Sequence, residues 1–194
     1  MTKSHLLCGV DEAGRGPWAG PVCAGAVILH PERPIAGLND SKKLTEKKRL
    51  KLEADIKEQA LAFGLGWASP AEIDELNIRQ ATHLAMRRAI KAMGVSPHEL
   101  QIDGNDVPQG LPCTARAIIK GDGSVAEISA ASILAKTARD RLMIEMDETY
   151  PGYGFSGHKG YGAKAHSEAL TKLGPCPIHR MSFKPVALAA QRAA

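Results

Sequence analysis

Residues 126–138, AEISAASILAKTA, carry alanine or serine at most positions. They lie inside a stretch from Ser124 to about Glu148 that reads as one long helix. Side chains this small let a helix lie close against a sheet, and the rest of the chain supplies that sheet. Residues 5–12 (HLLCGVDE) and 22–29 (VCAGAVIL) read as strands, separated by the turn-forming AGRGPWAGP. FGLGWAS is a third strand, weakened by glycine, and short strands follow at Leu100–Asp103 and Ala115–Lys120. Helices are predicted from Thr45 to about Gln59, after the capping box Ser69-Pro70-Ala71-Glu72, and from Asn77 to Met93, where Gly94 closes the helix. Three strands, then strands alternating with helices, predict an α/β sheet with helices on both faces.

From about Pro151 the composition shifts to glycine, histidine and lysine without clear periodicity. Residues 1–150 are expected to form the main domain. Residues 151–194 are expected to form a C-terminal helical lobe packed on it, with helices around Lys164–Leu173 and near the end. A chain of 194 residues buries roughly 70% of its unfolded surface and needs no covalent staple. The four cysteines, Cys8, Cys23, Cys113 and Cys176, are far apart and form no CxxC pair. Reduced thiols in a cytoplasmic protein are expected, not a disulfide framework or a zinc knuckle. The first residues hold too short an apolar run for a signal peptide, and no segment approaches 18 apolar residues, so no membrane association is expected. Nothing in the sequence demands a dimer surface, and a monomer is expected.

The net charge is only +4, but it is unevenly spread. Between Gly152 and Ala194, Lys159, Lys164, Lys172, Arg180, Lys184 and Arg192 face Glu168 alone, a net +5. A second basic run, Lys42, Lys43, Lys47, Lys48, Arg49 and Lys51, lies near residue 45. Two basic zones on a nearly neutral body suit a polyanionic partner, although solvated helix faces carry such charge too.

Three predicted strands end in carboxylates. Asp11 and Glu12 stand where a strand meets a glycine-rich turn, Asp103 precedes Gly104, and Asp122 lies in Lys120-Gly121-Asp122-Gly123. Neighbouring strand ends in an open α/β sheet converge on one crevice. Carboxylates gathered there repel one another unless cations neutralise them, and hard oxygen ligands select Mg²⁺ or Mn²⁺. Such sites typically hold two ions ~4 Å apart, which activate a water and stabilise the leaving oxygen of a phosphodiester. Adjacent strand residues point to opposite faces. Asp11 and Glu12 therefore share one site only if Glu12 lies just past the strand's end or the strand bulges.

The string Gly9-Val10-Asp11-Glu12-Ala13-Gly14-Arg15-Gly16-Pro17 resembles the opening motif of type 2 ribonucleases H, bacterial ribonuclease HII in particular. Further matches run through the chain at Asn39–Leu44, Ile73–Ile78, Ile102–Asn105, Lys120–Asp122, Ile128–Lys136, His158–Gly162 and His179–Phe183. The resemblance implies a ribonuclease H-like mixed sheet flanked by helices, with a C-terminal helical extension. It implies hydrolysis of the phosphodiester 5′ of a ribonucleotide, in RNA/DNA hybrids and in DNA containing ribonucleotides, leaving a 3′-hydroxyl and a 5′-phosphate. It carries metal-ligand roles onto Asp11, Glu12, Asp103 and Asp122, and makes Gly14, Arg15, Gly16 and Tyr161 the reader of the RNA–DNA junction. Two positions depart from the family pattern. Trp18 replaces a smaller aliphatic residue, and Ala163 stands where members often carry threonine.

The residue types support these roles to different degrees. Glycines at 14 and 16 let backbone amides approach a ligand, and a 2′-hydroxyl is what tells RNA from DNA; alone, the tripeptide reads equally as a tight turn. Tyr161, in a polar Gly-flanked loop, suits stacking on a sugar or bonding to the 2′-hydroxyl. Ser41, Lys42 and Lys43 suit a phosphate grip or a helix-capping turn. His158, Lys159 and Arg180 suit backbone contacts or a solvated surface. Asp140 is expected in a local salt bridge, and His83 in a structural role. Two other classes fit parts of the pattern: a junction-resolving nuclease of similar fold, and a non-catalytic nucleic-acid binder with vestigial acids.

Overall fold

β1 (Leu7–Ala13) is the middle strand of a five-stranded sheet in the computed structural model, which describes residues 5–193. β2 (Val22–Ile28) and β3 (Ala62–Ala68) extend the sheet antiparallel on one side of it. β4 (Glu99–Asp103) and β5 (Thr114–Ile118) extend it parallel on the other, giving the order β3-β2-β1-β4-β5. Because β1, β4 and β5 run the same way, their C-terminal ends open on one edge of the sheet. The sequence brings its acidic residues to that edge.

Side-chain alternation sorts the two faces. Cys8, Val10, Val22, Ala24, Ala26, Ile28, Leu100 and Ile102 form one apolar layer beneath α2 (Pro70–Leu76) and α3 (Ile78–Ala92), where they meet Ile73, Ala85, Met86 and Ala89. On the other face Val27 meets Leu52 and Ile56 of α1 (Glu46–Gln59) and Ala130, Ala131, Ile133 and Leu134 of α4 (Ala126–Thr149). Helices thus cover both faces, as the sequence predicts. The small-residue half of α4 presses hard on the sheet: a Cβ on Gly25 would sit 2.4 Å from the Ala131 carbonyl oxygen. Glycine in β2 and alanine in α4 are two halves of one contact.

The helix starts follow local chemistry. The Thr45 hydroxyl accepts from the Lys48 amide, and the Ser69–Glu72 capping box is formed with Pro70 at the first helical position. Asn77 caps α3 by accepting from the Gln80 amide. β5 stops at Ile118, earlier than the sequence suggests, because Lys120 turns left-handed and Gly121–Gly123 forms a 3-10 turn.

Beyond α4 come α5 (Phe155–His158), α6 (Lys164–Leu173) and α7 (Lys184–Ala193). This segment lies on the body. Tyr153 and Phe155 pack with Ala19 and Met143, Phe183 packs against the main core, and an isolated β-bridge joins Ala19 to His179. All four cysteines are free. No helix among the described residues is long and apolar enough to cross a membrane.

Candidate active site

Val10 lies opposite Ile102 in the parallel β1–β4 pair, so Asp11 and Asp103 project together toward the α4 face. Asp122 reaches them on the 3-10 turn after β5. One carboxylate oxygen from each of these three aspartates lies within 4.8 Å of the others. The turn is held in place: the Asp122 amide donates to Asp103 Oδ1 at 3.3 Å, and the Ser129 hydroxyl donates to the Asp122 carbonyl at 2.7 Å.

Glu12 is arranged differently from the sequence expectation. β1 neither ends nor bulges there, since the register with β2 runs unbroken through Glu12–Ala24 to Ala13–Cys23. Regular alternation turns Glu12 to the α3 face, where its carboxylate lies 3.5 Å from the Arg15 guanidinium. It lines a cleft of about 150 Å³ together with Asp103, Arg79, His83 and Asp106. Asp103 borders both groups and links Glu12 to the other two aspartates.

The electrostatics are those of a cation site. Burial, then the charges of Glu12 and Asp103, push the Asp11 carboxyl well above the usual carboxylate range. Burial and Asp103 raise Glu12 against the opposing pull of Arg15. Burial, Asp103 and Asp40 raise Asp122. Partial burial works against the charge on Lys42, yet Asp11, Asp40, Asp122 and Asp103 outweigh it and hold its pKa above the ordinary value. A set of oxygen-only donors that resist ionising together fits Mg²⁺ or Mn²⁺, because the ion supplies the missing positive charge.

Two buried arginines lie beneath the Gly14–Gly16 loop, and one of them, Arg180, fastens it. Arg139 of α4 and Arg180 are 1% and 0% exposed. Arg139 donates to the carbonyls of Pro21 (2.9 Å), Lys159 (2.9 Å) and Ala19 (3.1 Å). Arg180 donates to Gly20 (2.9 Å), Arg15 (2.9 Å) and Gly14 (2.5 Å). Gly14 has φ +97°, and a Cβ there would fall 2.0 Å from Arg139 Nε, so only glycine fits. Tyr161 is 45% exposed, and its ring edge lies 3.5 Å from where a Gly16 Cβ would be.

The remaining candidate residues divide into surface and support. Lys42 and Lys43 are exposed, and the Lys43 ammonium lies beside Gly123 on the Asp122 turn. Ser41 is buried and bonds at 2.8 Å to Ser132, itself a partner of Asp11, so it supports the aspartates from below. Arg180 is likewise interior, which removes one positive charge from the basic surface expected of the tail. His158 donates from Nε2 to the Tyr153 carbonyl and accepts at Nδ1 from the Gly160 amide, so both ring nitrogens are engaged within the loop. The Lys159 ammonium donates to the Ser156 carbonyl. Asp140 pairs with Lys136 at 2.6 Å and His83 with Asp106 at 3.0 Å, the local roles the sequence suggests. Sequence reasoning did not find Arg139, His166 or His179. An arginine directly after the small-residue stretch of the helix is the available signal for the first.

The two departures from the family pattern also have structural readings. The Trp18 ring occupies the space a Cβ on Gly162 would need and tilts against His166, with ring centroids 5.4 Å apart. Ala163 is the N-cap of α6 with extended backbone and no side-chain cap. Ala163→Thr should therefore stabilise the protein by ~1 kcal/mol, raising the melting temperature by roughly 2–4 °C. A thermal melt that does not rise would mean the α6 amides already have adequate partners.

A family model described as Ribonuclease HII matches residues 8–186. A curated ribonuclease HII from Hyphomonas neptunium is 58% identical over 200 residues, covering 96% of this chain and 97% of that protein. Among solved structures, ribonuclease H2 from Pyrococcus horikoshii superposes with a TM-score of 0.81 at 28% identity, covering 96% of this chain and 97% of the other. Ribonuclease HII of Archaeoglobus fulgidus, solved in a complex with PCNA, superposes with a TM-score of 0.76 at 26% identity, covering 92% and 95% of the two chains.

Proposed function

Since the chain belongs to the ribonuclease HII family, and is an endoribonuclease that removes ribonucleotides from DNA, we propose how its own residues carry out that activity. Asp11, Asp103 and Asp122 would hold divalent ions, Mg²⁺ or Mn²⁺, and Glu12 would complete the set through the cleft it shares with Asp103. The observation that carries this reading is the meeting of three carboxylate oxygens within 4.8 Å at the ends of parallel strands. Bound there, such ions would supply activation of a water and stabilisation of the leaving 3′-oxygen of the phosphodiester 5′ of the ribonucleotide. Lys42 and Lys43 face the phosphates on either side, and both are exposed beside the carboxylates. The Gly14-Arg15-Gly16 backbone meets the 2′-hydroxyl, while Tyr161 packs on the sugar at the RNA–DNA junction.

The substrate is duplex DNA carrying ribonucleotides, or an RNA/DNA hybrid, taken by a monomer. Residues 1–150 form the catalytic domain and residues 151–194 a lobe packed on it. A cytoplasmic setting fits the four free thiols. Incubating the protein with a duplex bearing one ribonucleotide, with Mg²⁺ or with EDTA, tests the reading. Metal-dependent nicking on the 5′ side of that residue is expected. Cutting of four-way junctions alone, or binding without cutting, would overturn it.

Tyr161→Ala should slow cutting at a single embedded ribonucleotide by at least about tenfold, since stacking on nucleic acid is worth ~1–3 kcal/mol. Continuous RNA should suffer less, because alternative registers are available there. Parallel rate measurements on the two substrates check this, and equal losses would show that Tyr161 only supports its loop.

A further inference from the structure

Tyr161 is exposed on its ring side, but its backbone is held from inside. Its carbonyl lies 2.8 Å from His166 Nδ1, on a buried face of α6. His166 Nε2 in turn lies 3.0 Å from His179 Nε2, and the Cys176 amide donates to His179 Nδ1 at 2.9 Å. His179 Nδ1 also lies 3.1 Å from the Cys176 thiol and 3.3 Å from the Cys176 carbonyl, and the shortest contacts set the protons. A carbonyl only accepts, so His166 carries its proton on Nδ1. An amide only donates, so His179 Nδ1 is bare and its proton sits on Nε2. The contact between the two rings then has one donor and one acceptor: His179 Nε2–H to His166 Nε2. The result is a one-way chain, Cys176 amide to His179 to His166 to the Tyr161 carbonyl, and in this tautomer, the one the 2.9 Å amide contact selects, it closes while both imidazoles are neutral.

We propose that His166, set in its tautomer by His179, is the positioning residue that presents Tyr161 to the RNA–DNA junction, and that protonating this pair releases the tyrosine loop. The proposal rests on the reading of Tyr161 as a junction reader. A second proton on His166 would place N–H against N–H at the 3.0 Å contact. The ring would have to turn, and the Tyr161 carbonyl would lose its donor. The titratable groups facing the pair are His158, whose ring stacks on His166 at 4.5 Å, together with Tyr153 and Cys176 beside His179. Trp18 and Phe155 supply the apolar walls. Burial, and then the neighbouring His158, hold His166 below its ordinary 6.5. Burial, and then His166, push His179 down to about 4. The neutral chain is therefore complete above 6.5 and lost as pH falls through the lowered value of His166.

The test is the ratio of cutting rates on two duplexes, one with a single embedded ribonucleotide and one with a continuous RNA strand, between about pH 5 and 8. Taking the ratio cancels titration and metal occupancy at the carboxylates, which both substrates share. In the unmodified protein the ratio should be flat near pH 8 and fall toward pH 5. His166→Phe keeps the ring packing and loses the donor, so it should lower the ratio about fivefold at pH 8, the loss of one hydrogen bond. His166→Asn places an amide N–H where Nδ1–H stands, and should restore the ratio while abolishing its pH dependence. Tyr161→Ala should give the low ratio at every pH. A pH-independent ratio in the unmodified protein would overturn the proposal without needing any variant to fold. So would a normal ratio in His166→Phe, or a surviving pH dependence in His166→Asn. If Tyr161→Ala itself leaves the ratio unchanged, the junction reading of Tyr161 fails and the proposal falls with it. If Tyr161→Ala lowers the ratio while His166→Phe does not, only the positioning role is lost.

Discussion

Asp103→Asn should abolish cleavage, reducing turnover on the order of a thousandfold or more while leaving the fold intact. Asp103 is the carboxylate that borders both the Asp11–Asp122 pair and Glu12, so losing its charge weakens every part of the cation site. Metal assistance supplies several kcal/mol of transition-state stabilisation, and each 1.36 kcal/mol is about tenfold in rate. The fold survives because asparagine keeps the oxygen that accepts from the Asp122 amide. Removing one of several repelling charges also relieves Asp11, Glu12 and Asp122, so the metal-free variant should melt no lower than the unmodified protein. Adding Mg²⁺ should separate the two. An ion at a hundredfold its dissociation constant adds ~2.7 kcal/mol to a protein that binds it, and the variant should gain far less. Near-normal turnover of the variant at saturating Mg²⁺ would remove Asp103 from the metal site.

Arg180→Met should destabilise the protein by about 3–5 kcal/mol, a drop in melting temperature of roughly 6–20 °C. The guanidinium is fully buried and donates to three carbonyls, those of Gly14, Arg15 and Gly20. Methionine fills most of the volume but leaves three buried acceptors without donors. Arg180→Lys should recover little, since an ammonium is a point charge and cannot match the planar fork. The surviving folded fraction should cut a single embedded ribonucleotide poorly, because the carbonyls that set the Gly14–Gly16 conformation are free to turn. A melt within a degree or two of the unmodified protein would show that water can replace the guanidinium.

The parts of this molecule that could be read from its sequence are those whose causes are local. Thr45, Ser69 with Glu72, and Asn77 cap helices through partners three residues away. The strands betray themselves by apolar runs, and the Ala/Ser stretch of α4 by its size alone. Asp11, Asp103 and Asp122 were legible because parallel strands deliver their ends to one edge. Glu12 was legible as acidic but not in its direction, because the unbroken β1–β2 register is a property of the pair. Ser41 and Arg180 have the chemistry of surface groups. Their burial depends on partners up to 166 positions away, which no window along the chain displays. Arg139 was hidden for the same reason, with partners 118 and 120 positions away.

The fork at Arg180 also orders events in time. β1, β4, the Asp122 turn and α4 all lie before residue 150, so the strands that gather the three aspartates leave the ribosome first. Gly14 and Arg15 must wait for a side chain more than 160 residues later, several seconds or more at about 5–20 residues per second. During that interval the nascent chain carries all three aspartates and lacks the clasp that shapes the neighbouring loop. A message broken between the codons for Thr149 and Arg180 would yield a chain that carries Asp11, Asp103 and Asp122 but has no side chain to fasten its glycine loop.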